Sequence, residues 1–453
     1  MAKPAAPGSH TLQAPAPSPH TRPTRPTTPR AIARNPPAPG PYDPAITAHP
    51  AHRDPRAAPV HAAPRPRAAG PGDRIPRAVT STALRRPDRA DLAAALAGPP
   101  TDRVILLPYD LAETCEPAIA RVPAAGAGEP VPLVIQTLAP PGDEPPDPTP
   151  TPAPSSFAVG PLTPTNPRAH YTNAVREALR LIAAGDAYQI NLAHHLTADF
   201  TGDALALYTR LAAATNPDHG GFLCWDDPPS ETDRPNRRHA VVSLSPELFL
   251  DYDPATRTVR TKPMKGTRPF DADPAELRAS EKDRAELNMI VDLMRNDLGR
   301  VAVPGSVRVT RPRDVDPHAN SVWQATATVE ATLRDGLTPA DLILATFPPG
   351  SVTGAPKVRA AQIIRALEPD PRGPYCGSLV RQHQSGRLTA SVLIRTAHIT
   401  GTPDPANPHA FAAARLAYPV GAGIVADSDP DAEWEETLTK ARVLTDTLAL
   451  PRP

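Results

Sequence analysis

Proline restricts this chain more than any other feature: 65 of its 453 residues are proline. Each one fixes φ and removes a backbone donor, which disfavours helix interiors and central strands. Their distribution is uneven. Residues 1–80 hold 20 prolines, one aromatic residue (Tyr42) and scattered aliphatics. Such a segment cannot bury enough apolar surface to offset the entropy of ordering it, and it reads as a disordered Pro/Arg-rich tail. A second proline-rich stretch, Ala139 to Pro154, marks residues 139–166 as a linker or exposed loop. Residues 81–138 between them contain two strand-like apolar runs, Val104 to Leu107 and Val131 to Thr137, and read as a reduced N-terminal subdomain. Residues 167–450 then form the main domain.

A formal net charge of zero conceals an asymmetry, because residues 1–80 carry 11 Lys or Arg against 3 Asp or Glu. The basic tail lacks the amphipathic periodicity of a transit peptide, and no secretory apolar run follows Met1. Nothing approaches the roughly 18 to 20 apolar residues that span a bilayer. Cys115, Cys224 and Cys376 are an odd set without paired spacing, which suits a reducing compartment and supplies neither a zinc site nor a disulfide framework. The expected location is the cytoplasm, with neither membrane nor nucleic acid as a partner.

From Tyr171 the periodic signals sharpen. Tyr171, Val175, Leu179 and Ile182 recur at helical spacing and Gly185 stops that helix. Strands are expected at Ala187 to Leu196, Ala240 to Ser243, Leu248 to Tyr252, Val307 to Thr310, Leu388 to Ile399 and Tyr418 to Ala426. Helices are expected at Ala275 to Leu298, Pro356 to Leu367 and Asp431 to Leu448. Strands and helices mix without βαβ alternation, which favours an α+β fold with antiparallel sheets.

Asp283 and Glu286 are three apart near the start of one helix, and Glu433 and Glu436 repeat that spacing on the last one. Two such pairs can converge on a hard divalent cation, or can simply favour the helix dipole. Phe347 to Lys357 (FPPGSVTGAPK) is a Gly-punctuated turn entering a helix, suited to holding an anion or to ordinary capping. Gly421 and Gly423 interrupt a strand, a sign of a bulge or of close backbone approach to a ligand. Arg395 is polar within the alternating Leu388 to Ile399 run, a fork for a carboxylate or an exposed strand arginine. Lys265, shortly after Glu247, is either a surface lysine or a desolvated nucleophile beside an acid–base carboxyl.

Eight segments in order carry a resemblance: Gly185 to Leu192 (GDAYQINL), Ser245 to Phe249 (SPELF), Pro263 to Thr267 (PMKGT), Asp283 to Gly299 (DRAELNMIVDLMRNDLG), Ser351 to Lys357 (SVTGAPK), Ile394 to Thr396 (IRT), Gly421 to Ser428 (GAGIVADS) and Glu433 to Lys440 (EWEETLTK). The series resembles the chorismate-binding enzymes, over roughly residues 167 to 448. It implies a four-layer sandwich in which two large antiparallel sheets enclose the active site and helices lie outside. It further implies Mg²⁺ on Glu286 and Glu436, with Asp283 and Glu433 beside them. Arg395, Tyr375, Gly421 and Gly423 would bind the substrate's enolpyruvyl carboxylate, and Thr353, Gln324 and Lys440 would line the pocket. A lysine at position 265, within PMKGT, resembles the aminodeoxychorismate synthase branch, whereas the anthranilate synthase branch has alanine. Lys265 would then be the nucleophile and Glu247 the proton carrier, with ammonia supplied by a separate glutamine amidotransferase subunit.

Three positions depart from the family pattern. Gln324 replaces a histidine, Leu379-Val380-Arg381 alters the stretch after Cys376, and no tryptophan-binding segment is recognisable near the N-terminus. The alternatives are anthranilate synthase component I or a related chorismate-using enzyme, and a non-catalytic chorismate-binding scaffold.

Overall fold

The computed structural model describes residues 78–98, 101–126, 131–138, 156–227, 236–318 and 322–453. The expected disordered tail lies outside the described residues up to 77, as does the expected linker over 139–155.

Two sheets organise the chain, and every strand pairing among the described residues is antiparallel. The first has ten strands. Its spatial order is Ala78–Leu84, Leu133–Leu138, Arg103–Leu107, Ser378–Gln382, Leu388–Val392, Leu248–Asp253, Thr258–Lys262, Val322–Thr332 and Met264–Pro269, with Arg308–His318 also paired to Val322–Thr332. The second has eight. Gly354–Ala355, Gln189–Asp203, Ala410–Ile424, Thr396–Pro403, Arg238–Ser243 and Gly221–Asp226 follow in order, and Phe157–Val159 and Thr163–Pro164 pair with Gln189–Asp203.

Four apolar clusters define the layers. The ten-stranded sheet packs through Phe249, Leu250, Ala327 and Val329 against Leu287, Ile290 and Met294 of the helix Glu281–Gly299. The eight-stranded sheet packs through Leu196, Phe200, Leu416 and Tyr418 against Leu207 and Leu211 of Ala204–Thr215 and Ala441 and Leu444 of Pro430–Leu448. It also buries Ile190, Leu192, Ala422 and Ile424 against Val175 of Arg168–Ala183, Ile363 of Lys357–Leu367 and Trp434. Between the sheets, Leu106 and Val134 of the first meet Leu223, Trp225 and Val241 of the second. The result is an α+β sandwich of two antiparallel sheets with helices outside.

Within residues 81–138, expected to be a reduced subdomain, Arg103–Leu107 pairs along Ser378–Gln382 and so adds to the ten-stranded sheet. Leu388 to Ile399 is not one strand. Leu388–Val392 belongs to the ten-stranded sheet and Thr396–Pro403 to the eight-stranded one, and Arg395 is at the crossing with φ 50°. Apolar residues run on through Val392, Leu393 and Ile394 into that corner, and no glycine or proline punctuates it. Ala275 to Leu298 is likewise two helices, Pro274–Ala279 and Glu281–Gly299. Ser280 ends the first and caps the second, its hydroxyl accepting from the Asp283 N–H.

Candidate functional site

Lys265 lies on Met264–Pro269, where Ala325 is its cross-strand partner. Its amine reaches across to the other sheet. A Cβ added to Gly423 would stand 3.0 Å from Lys265 Nζ and 3.2 Å from Gln189 Nε2, so only glycine leaves both groups their place. Gln189 is fully buried, and neither end of its amide has a hydrogen-bond partner in the protein. An unsatisfied buried donor and acceptor beside an amine form a pair that a ligand can complete.

Glu247 is buried just before the strand Leu248–Asp253. Burial pushes its carboxyl up to about 7, against the opposing effects of hydrogen bonding from Ser351, the Lys265 charge and the Met264 backbone. Burial lowers the Lys265 ammonium below the ordinary lysine range, with Glu286 the strongest opposing charge, Lys440 reinforcing the shift, and Glu247 and Glu436 also opposing it. An acid raised and an amine lowered in one place bring their proton affinities closer together.

The Gly421 to Gly423 stretch owes the direction of its backbone polar groups to strand alternation. Asn191 N–H donates to Thr353 O and Asn191 O is taken by a side chain, so residues 191 and 193 turn their polar groups away from Ala410–Ile424. Their partners, Gly423 and Gly421, therefore turn theirs toward the opposite edge. Pairing with Thr396–Pro403 there ends at Ala417, and no strand among the described residues covers the glycines. Lys440 Nζ donates to Gly421 O at 2.7 Å, and the Tyr375 hydroxyl lies 3.0 Å from the point a Gly421 Cβ would occupy.

Of the four expected metal-binding acids, Glu286 and Glu436 both act on the Lys265 charge from separate helices. Glu436 also pairs with Lys440 at 2.8 Å, whose ammonium holds it below the usual carboxylate range. The other two are engaged elsewhere. Asp283 accepts from Arg268 at 2.8 Å and Glu433 from the Ser428 hydroxyl at 2.6 Å. Among the described residues no three His, Cys, Asp or Glu side chains stand at metal-binding spacing.

The remaining expected residues divide by what their polar atoms do. Thr353 is buried and spends its hydroxyl on Pro349 O, closing its own turn. Gln324 is buried opposite Thr267, and its Oε1 lacks a partner. Arg395 has no acidic partner among the described residues, and Tyr418 is the neighbour that acts on its charge. Sequence reasoning did not single out Gln189 or Ser351. For Gln189 a signal existed: Gln189 and Asn191 alternate with Ile190 and Leu192, which puts two polar side chains on an inward-facing strand surface.

Residues 113–446 match the family described as chorismate binding enzyme. The chain is 40% identical over 280 residues to aminodeoxychorismate synthase component 1 of Salmonella typhimurium, covering 60% of this chain and 56% of that protein. It is 39% identical over 311 residues to anthranilate synthase component 1 of Streptomyces coelicolor, covering 64% of this chain and 56% of that protein. It thus spans about half the length of the curated relatives it matches. A solved anthranilate synthase component I from Streptococcus pneumoniae TIGR4 shares the fold, with a TM-score of 0.62 at 23% identity over 81% of this chain and 90% of that one.

Proposed function

This chain belongs to the chorismate-binding enzymes, and from that premise we propose that it is the aminating subunit of an aminodeoxychorismate synthase. Similar identities to both aminating branches leave the choice to the site, and the Lys265 amine beside Gly423, Gln189 and Glu247 is the observation that carries it.

In this reading the neutral Lys265 amine forms a bond to ring carbon C2 of chorismate, the ring double bond shifts, and the C4–oxygen bond breaks. The Glu247 carboxylate takes the proton shed by the amine and passes it to the departing hydroxide, which leaves as water. Ammonia then bonds to C4 as the shift reverses and the C2–lysine bond breaks, and the proton shed by the incoming ammonium passes by way of Glu247 to the departing lysine nitrogen, which restores the amine. The enolpyruvyl group stays on the ring. Arg395, the open backbone edge at Gly421 and Gly423, and Tyr375 would hold its carboxylate. Gln324 and the Thr353 turn would shape the pocket, and Lys440 would act by holding Gly421 O.

Magnesium fits Glu286 and Glu436, because this cation takes one or two carboxylates and completes its shell with water and substrate oxygens. When bound it would neutralise the ring carboxylate. Ammonia would come from a glutamine amidotransferase partner.

The test is to incubate the purified chain with chorismate, Mg²⁺ and an ammonium salt and to identify the product by mass. 4-Amino-4-deoxychorismate is expected. Anthranilate would refute the assignment in favour of the other branch, and no turnover would favour a binding scaffold.

A further inference from the structure

The strand Gln189–Asp203 reaches the site with one edge paired to Ala410–Ile424 and the other only partly covered. Gly354–Ala355 pairs with Gln189 and Ile190, and Thr163–Pro164 pairs with Leu196 and Thr197. Among the described residues no strand lies against Asn191 to His195 on that edge. The backbone groups there still need partners. Asn191 N–H donates to Thr353 O and His195 O accepts from Thr165 N–H, and a charged pair serves two groups between: Arg372 Nη2 donates to Asn191 O at 2.6 Å, and the Ala193 N–H donates to Glu368 Oε1 at 2.9 Å. Asn191 and Ala193 are the residues directly opposite Gly423 and Gly421.

The same guanidinium binds more than this edge. Nη1 donates to Val352 O at 2.9 Å, next to Thr353, while Nε and Nη2 fork onto Glu368 at 2.8 and 2.6 Å. Its carbon lies 4.5 Å from the centre of the Tyr109 ring, and Tyr375 follows three residues later in the chain. The side chains of Arg372 and Glu368 are 2% and 8% exposed, so neither charge is available to a substrate.

We propose that Arg372, locked by Glu368, is a positioning residue that fixes the register of the glycine strand, the Thr353 turn and the Tyr375 loop around one substrate. A planar fork can serve Asn191 O, Val352 O and Glu368 together. A lysine ammonium keeps the charge but is a single point and cannot span all three. Arg372 also borders a cavity of about 220 Å³ that Tyr375 shares.

The inference rests on chorismate being the substrate, and its test follows chorismate consumption whatever the product. Arg372→Lys is expected to fold, to raise the KM for chorismate at least about tenfold, and to leave the KM for ammonium unchanged. A folded Arg372→Lys enzyme with wild-type KM and kcat for chorismate would overturn the proposal. If that variant does not fold, the double variant Arg372→Gln, Glu368→Gln keeps amide hydrogen bonds without a buried charge, and the same split is expected. Failure of both to fold would show a purely structural role and reject positioning. Wild-type chain that consumes no chorismate would sink the substrate reading itself, a different outcome from either variant result.

Discussion

At the Glu247 carboxyl, burial outweighs the neighbouring lysine charge, and the acid keeps its proton up to about pH 7 in the folded chain. Unfolded, a glutamate releases it near 4.3. The folded pKa is the higher one, so folding stability falls as pH rises from about 4.3 to about 7 and stays reduced above. The gap amounts to roughly 4 kcal/mol at alkaline pH. Glu247→Gln is therefore expected to denature later than the wild type at pH 8 and equally at pH 4, as read in urea titrations. A destabilised variant at pH 8 would contradict the burial argument. The same substitution should slow turnover by about 10² to 10⁴. In the wild type kcat/KM should fall as pH drops below about 7, and Glu247→Gln should lack that limb. Lys265→Ala is expected to cost about a thousandfold in rate, roughly 4 kcal/mol of barrier, with the fold intact. Unchanged rate and product would remove the nucleophile.

The strand Ala410–Ile424 shows how an element serves a site through what it lacks. Gly423→Ala would press on the ends of two side chains, Lys265 Nζ and Gln189 Nε2. Gly421→Ala would press on the backbone oxygen of Leu192 at 2.6 Å. The first is expected to lower kcat/KM at least about tenfold with little change in Tm, and the second to lower both. Equal Tm losses would contradict this distinction. Much of this element was readable: two glycines in an apolar run imply a ligand or a bulge, and the acid pairs stand on the helices where spacing put them. The crossing at Arg395 was missed, because no glycine or proline punctuates Leu388 to Ile399; the break in alternation at Val392-Leu393-Ile394 is the local sign that the backbone changes sheets. The Arg372–Glu368 pair was not readable, since its role depends on a missing neighbour strand that no local pattern reveals. Thr353 was placed in the right turn, but its hydroxyl is spent on that turn.

For the whole molecule, the site exists because two sheets with separate helix-backed cores face one another. The lysine comes from one sheet and the glycines from the other. Glu286 and Glu436 stand on helices that pack on different sheets, so a magnesium ion shared by them would tie the two halves together. Chelation by EDTA is expected to abolish turnover reversibly while leaving most secondary structure in place, as seen by circular dichroism. Full activity in EDTA would exclude the metal. None of the helices among the described residues is long and apolar enough to cross a membrane. The central claim is that the Lys265 amine bonds to the substrate, and intact-mass measurement on the chain incubated with chorismate and Mg²⁺ without ammonia tests it most directly. The account predicts a species heavier by chorismate less one water, with the added mass on the peptide carrying Lys265. Amination proceeding normally on addition of ammonia, with no such adduct ever trapped and Lys265→Ala fully active, would contradict it.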